Sequence, residues 1–219
     1  MPIALLHRHD FEPSLPAISG FLVRRVRDAT LMARLQTRTI EEMEERFDAG
    51  HRAYVAYVND VPAAFGWVAT AMATIGELHL AFTVANNERY LWNFVTLREF
   101  RGRGIYPRLL EAIVTMEAKD AERFWIAYAP ENRASGAGIR NAGFALVADL
   151  SFDASGQPVL KAIANGGADA AARWLGIAQT AGAVAPCWKC VRHAAPGHAG
   201  CAPGHCMCDY QQPERACAD

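Results

Sequence analysis

Arg101-Gly-Arg-Gly104 holds the residues of this 219-residue chain best suited to chemistry. Two glycines alternate with two arginines. They lie between an apolar run, Tyr90 to Leu97, and a stretch with Ile105, Leu109, Leu110, Ile113 and Val114 at helical spacing. A strand, a two-glycine loop and a helix N-terminus together make an anion site. Glycines let backbone N–H groups approach a ligand, and a first helical turn carries unpaired donors and about half a positive charge. Pro107 suits that turn, because its missing N–H would have had no partner there. The backbone from Gly102 through Ile105 to Tyr106 is therefore expected to take phosphate oxygens, with Arg101 and Arg103 adding charge. No Gly-Lys-Ser/Thr follows at the spacing of a Walker loop, and Pro107 occupies the third glycine position of a dinucleotide fingerprint counted from Gly102. Neither of those cradles is present.

A second block follows about thirty residues on: Asn132-x-x-Ser135, then Gly143-Phe144. Together the two blocks resemble the GNAT superfamily of acyl-CoA-dependent N-acetyltransferases, over roughly residues 20 to 165. The first resembles that family's Arg/Gln-x-x-Gly-x-Gly/Ala pyrophosphate loop, with Tyr106 departing at the last small position. The second resembles its Asn-opened coenzyme A helix ending in Gly-Phe. The resemblance implies a mixed, mostly antiparallel α/β sheet flanked by helices, acetyl-CoA as cosubstrate and an amine acceptor. It also implies that the backbone of Phe94, Val95 and Thr96 runs beside the pantetheine arm, where an N–H could polarise the thioester carbonyl. Asn132 and Ser135 would contact coenzyme A, and Asn132 also suits a plain helix cap. Many relatives carry a tyrosine seven residues after the asparagine, placed to protonate the departing thiolate; here that position is Ile139. Tyr106 and Tyr128 are the substitutes. A non-catalytic acyl-CoA-binding module and an acyltransferase with a longer donor are the rival readings.

Acyl transfer to an amine also needs a proton acceptor. Glu77 and His79, two apart on an expected strand from Glu77 to Val84, share one face, and either could take the proton directly or through a water. The alternative reading makes Glu77 a solvated strand opener and His79 a packing residue. Glu41, Glu42, Glu44 and Glu45 on the expected second helix read as a solvated face; a role with a cationic acceptor is the second reading.

The remaining chain must position these groups. Half of it is apolar (52%), the formal net charge is −1, and no run of eighteen apolar residues exists. These features speak against a nucleic-acid stripe and a membrane span. Met1 to Pro16 lacks an adequate hydrophobic region for secretion, so the cytosol is the expected compartment. Four zones are expected: an irregular lead-in (1–19), the transferase domain (20–165), a helix and linker (166–186) and a Cys/His-rich tail (187–219). All six cysteines, Cys187, Cys190, Cys201, Cys206, Cys208 and Cys217, fall in the tail. Cys187-x-x-Cys190 plus two of Cys201, Cys206, Cys208 or a nearby histidine suits a structural zinc site; a redox-active or flexible tail and disulfides are the alternatives. The tail could also contact a protein partner, and a homodimer is open. Within the domain, Asp28 is expected to cap one helix and the Thr39-x-x-Glu42 capping box a second. A hairpin is expected to turn at Asn59-Asp60 and another at Asp153-Ala-Ser-Gly156.

Overall fold

The computed structural model describes residues 1–78, 80–163 and 167–184. Its strands are β1 (Pro2–His7), β2 (Phe21–Val26), β3 (Arg52–Val58), β4 (Val61–Ala69), β5 (Met72–Ile75), β6 (Leu80–Thr83), β7 (Glu88–Thr96), β8 (Arg123–Ala127), β9 (Ala145–Phe152) and β10 (Pro158–Ala162). Its helices are α1 (Ala29–Gln36), α2 (Ile40–Asp48), α3 (Ile105–Glu117), α4 (Arg133–Asn141) and α5 (Gly167–Leu175). Eight strands form one sheet in the order β10-β9-β1-β8-β7-β4-β3-β2, and β5 with β6 forms a separate hairpin. Every pair of neighbours is antiparallel except β7 with β8. This is the mixed, mostly antiparallel α/β architecture expected.

The local signals read from sequence are realised atom by atom. Asp28 accepts from the N–H of Leu31 at 2.8 Å, and Thr39 and Glu42 exchange both bonds of a capping box. Asn59 and Asp60 both take positive φ (50° and 63°), as a two-residue hairpin turn requires. Among the described residues no helix is long and apolar enough to cross a membrane.

Two expectations are corrected. Residues 1–19 are not all lead-in, because Pro2–His7 is a central strand paired with β8 and β9. Ile3 and Leu5 enter the core on one face, Ala4 and Leu6 on the other. A strand buried on both faces shows no polar alternation, so its period was hidden. The expected Glu77–Val84 strand is also broken. Gly76–Leu78 is a 3-10 turn joining β5 to β6, so Glu77 does not open a strand or share a strand face with His79. A glycine ahead of Glu77 weakens strand continuation there.

α3 and α4 cover one face of the sheet through Ile105, Leu109, Leu110, Ile113 and Ile139. The other face has two covers. α1 and α2 seat Met32 and Met43 on Val55, Phe65 and Trp67. α5 and the β5–β6 hairpin cover the β1, β8 and β9 half, where Trp174 stacks on Trp125 at 4.5 Å with an interplanar angle of 3°. α5 stops at Leu175, where Gly176 turns left-handed (φ 66°). One buried charge cluster locks α3 to the sheet: Glu117, 1% exposed, accepts from Arg52 Nη1 at 2.5 Å, Arg89 Nε at 2.7 Å and the Tyr54 hydroxyl.

Candidate active site

The site begins where β7 leaves β8. Their parallel register runs from Glu88↔Arg123 to Leu91↔Ile126 and then ends. β7 instead follows β4 through a bulge in which Asn93 and Phe94 oppose Gly66, and Asn93 takes a left-handed φ of 52°. β8 meanwhile stays with β1, pairing Ala127 with Ile3. A gap opens between them, walled by the Trp92–Thr96 edge and by the end of β8. Main-chain groups on an unpaired strand edge need partners, so this edge suits an extended, amide-bearing ligand. The carbonyl of Thr96 already accepts from Arg101 Nε at 3.1 Å.

The anion loop stands at the mouth of the gap. After a 3-10 turn (Arg98–Phe100), Gly102 and Gly104 both take left-handed φ, 74° and 67°. Gly104 caps α3 without a side-chain hydrogen bond. The N–H groups of Ile105 and Tyr106 therefore have no helical acceptor and remain open for a ligand. The arginines differ in role. Arg101 reaches back to Thr96, and Arg103 lies 5.5 Å over the Phe100 ring. Arg108 donates to the carbonyls of Gly104 and Pro16, both at 2.8 Å, and braces the loop from behind.

The far wall is the first turn of α4. The side chain of Asn132 accepts from the N–H of Ser135 at 2.9 Å, so it fills the capping role. Ser135 Oγ lies 3.3 Å from Tyr106 Oη and ties the two helix N-termini together. Burial pushes the Tyr106 hydroxyl well above its ordinary pKa, and the Ser135 contact only partly offsets this. Phe94 leans on Tyr106 at 5.5 Å. Two glycines in α4 make room for the tyrosines. A Cβ at Gly138 would come within 2.4 Å of the Tyr106 ring, and one at Gly136 within 2.7 Å of the Tyr128 ring. Ile139 is fully buried in the core, so that helix position faces away from any ligand.

The structure thus gathers Phe94, Val95, Thr96, Arg101 to Tyr106, Tyr128, Asn132 and Ser135 around one gap. It does not do so for the other candidates. His79 and the side chain of Glu77 lie outside the described residues, as do Cys187, Cys190, Cys201, Cys206 and Cys208. Among the described residues no cluster of three metal-ligating side chains occurs.

Sequence reasoning missed three contributors. Gly136 and Gly138 carried a usable signal, since glycine inside a helix is costly and often marks close approach. Gln36 carried none. Its Oε1 accepts from Asn93 Nδ2 (2.9 Å), Arg46 Nη1 (3.0 Å) and Trp67 Nε1 (3.3 Å), which pins the end of α1 to the β7 bulge.

Residues 22–144 match the family model described as the acetyltransferase (GNAT) family. No curated protein sequence matches the chain. Among solved structures, a GCN5-related N-acetyltransferase from Kribbella flavida aligns at 17% identity over 66% of this chain and 53% of its own, with a TM-score of 0.42. The chain spans about half the length of that protein. The ribosomal-protein-S18-alanine N-acetyltransferase from Escherichia coli aligns at 16% identity over 60% of this chain and 81% of its own, with a TM-score of 0.47. An acetyltransferase of the GNAT family from Streptococcus pneumoniae aligns at 16% identity over 60% and 88%, with a TM-score of 0.46. With more than half of the chain matched by the family model, and the loop, gap and capped helix all in place, the protein belongs to the GNAT acetyltransferase family.

Proposed function

We propose that the protein transfers the acetyl group of acetyl-CoA to a primary amine by direct attack. The observation that carries this reading is the gap between β7 and β8, opening beside a helix N-terminus with uncapped donors. Bound acetyl-CoA supplies an activated thioester. The N–H groups from Gly102 to Tyr106 would grip its diphosphate, and the Phe94–Thr96 edge would pair with its pantetheine amides. Asn132 and Ser135 would close the site from α4. The amine nitrogen forms its bond to the carbonyl carbon, the C–S bond breaks, a base takes the amine proton and an acid returns one to sulfur.

Tyr128 suits the acid role better than Tyr106. The Tyr106 hydroxyl is engaged by Ser135 and its proton is held by desolvation; Tyr128, a part-buried side chain like Tyr106, stands just past the end of β8, beside the gap. Glu77, whose backbone lies in the Gly76–Leu78 turn, and His79 are proposed as the base on residue type. All six cysteines lie beyond residue 186, which supports attack without an acyl-cysteine.

Thiol release measured with a panel of amines, and mass spectrometry of the products, tests the proposal. Turnover is expected on at least one primary amine, with one thiol released per acetylated product. Tyr128→Phe should lower kcat by about 100-fold, at the low end of general-acid contributions, while KM for acetyl-CoA holds. Binding of acetyl-CoA with no turnover on any amine would make the protein an acyl-CoA-binding module instead. For the tail we propose zinc held by Cys187 and Cys190 with two of Cys201, Cys206 and Cys208. Elemental analysis should find one zinc per chain, and none in a Cys187→Ser, Cys190→Ser variant; a metal-free wild type ends that idea.

A further inference from the structure

β7 and β8 begin at the end of the sheet remote from the gap, and there a cavity of about 580 Å³ opens under α5. It is a groove open to solvent on its outer side, not an enclosed chamber. Phe82, Thr83, Glu88, Arg123, Arg173 and Trp174 are among its walls. α5 and this cavity's outer wall fall outside the residues matched to the family, 22–144.

The wall chemistry is uneven in an informative way. Phe82 and Trp174 meet edge to face at 4.7 Å, and Trp174 stacks on Trp125, so one side is aromatic and rigid. On the other side Arg123 Nε donates to Glu88 at 2.7 Å, and the pair neutralises itself. Arg173, exposed on α5, has no ion pair among the described residues, so it leaves the cavity one uncompensated positive charge. Trp174 is 7% exposed, and its indole N–H has no hydrogen-bond partner; the same holds for Trp125 beneath it. Both nitrogens are enclosed by protein atoms, so what these tryptophans offer the cavity is apolar surface.

We propose that this cavity binds a small amphipathic monocarboxylate, with its apolar body against Phe82 and Trp174 and its carboxylate on Arg173. One net positive charge matches one carboxylate, and an aromatic wall matches an aryl or alkyl body. Cations meet two guanidinium groups and only one carboxylate, itself already paired. The site stands apart from acetyl transfer and does not depend on it.

Calorimetry on the full chain with 3-phenylpropionate, 3-phenylpropionamide and phenethylamine tests the assignment. The carboxylate should bind saturably and about tenfold tighter than the amide, as one charge-assisted hydrogen bond allows, and the amine should not bind. Arg173→Gln should bring the carboxylate to the amide's affinity. Thr83→Trp, which fills the cavity from an exposed position, should abolish binding of both. An unchanged far-UV circular dichroism spectrum and thermal midpoint in these variants would show that they fold. No binding of 3-phenylpropionate to the wild type, equal affinity for all three probes, or wild-type affinity in Arg173→Gln would each overturn the proposal.

Discussion

Replacing Glu117 by alanine is expected to remove about 3–5 kcal/mol of folding stability, the usual cost of breaking a buried ion pair from one side. That is a large share of the roughly 5–15 kcal/mol a domain has. The reason lies in what is left behind. Arg89 is 3% exposed and would keep its charge with no carboxylate beside it. The Tyr54 hydroxyl, 1% exposed at the residue level, would lose its acceptor. Arg89 retains backbone acceptors at Asn86, Glu88 and Asp120, so the loss is partial rather than complete. A Glu117→Met, Arg89→Met double variant should be more stable than Glu117→Ala, because it removes the two deeply buried charges of the three and refills the volume, leaving only Arg52, whose side chain is 23% exposed and can be solvated. Urea unfolding of the three proteins measures both effects. The pH dependence has a definite sign. Burial alone would raise the Glu117 carboxyl, but hydrogen bonds from Arg52, Arg89 and Tyr54 outweigh it and hold its pKa below the ordinary value. With an unfolded value of about 4.3, the contribution is present above that pH and is lost as pH falls through the lower folded value. The stability difference between wild type and Glu117→Gln should therefore narrow in acid and hold constant toward neutrality. An acid-insensitive difference would show that the carboxylate charge is not what stabilises α3 against β3 and β7.

Gly102→Val should lower acetyl-CoA affinity by about 100-fold while the thermal midpoint moves little. A Cβ at Gly102 would meet nothing within 4 Å, so no neighbour is displaced. What the substitution disturbs is the backbone, since φ is 74° and an L side chain there costs roughly 1–2 kcal/mol. Relief of that strain rotates the peptide planes whose N–H groups face the ligand. Each hydrogen bond to a charged group contributes about 1.5–3 kcal/mol, so losing two corresponds to at least about 100-fold. Gly104→Val is a less clean experiment, because its Cβ would sit 2.4 Å from Arg108 Nη1 and break the brace behind the loop. Calorimetry with acetyl-CoA on Gly102→Val decides the matter. Wild-type affinity in that variant would remove the loop from the binding site, and the reading of the gap would go with it.

Both predictions concern α3, and its two ends were unequally legible. The N-terminal end was plain: Gly-Arg-Gly, Pro107 and the apolar period are all local features, and local features act before any long-range contact forms. The C-terminal lock was not, because Glu117 meets Arg52 and Arg89 from strands 65 and 28 residues away. The same division runs through the fold. Helix caps at Asp28, Thr39 and Asn132 sit where short-range hydrogen bonding put them. Strand β1 was missed because residues buried on both faces lack alternation, and the β5–β6 hairpin because a 3-10 turn interrupts an otherwise strand-like run.

The amino-acid order by itself determined the pieces: a donor-rich helix start, a β-rich segment leading into it, a second capped helix, and a cysteine-rich end. Only the tertiary structure decided that β7 parts from β8 after Leu91, that the first strand slots in beside β8, and that two tyrosines settle on the glycines of α4. The physical reason is separation. Pairings such as Ile3 with Ala127 depend on which surfaces the whole chain can bury together, and no window of neighbouring residues holds that information.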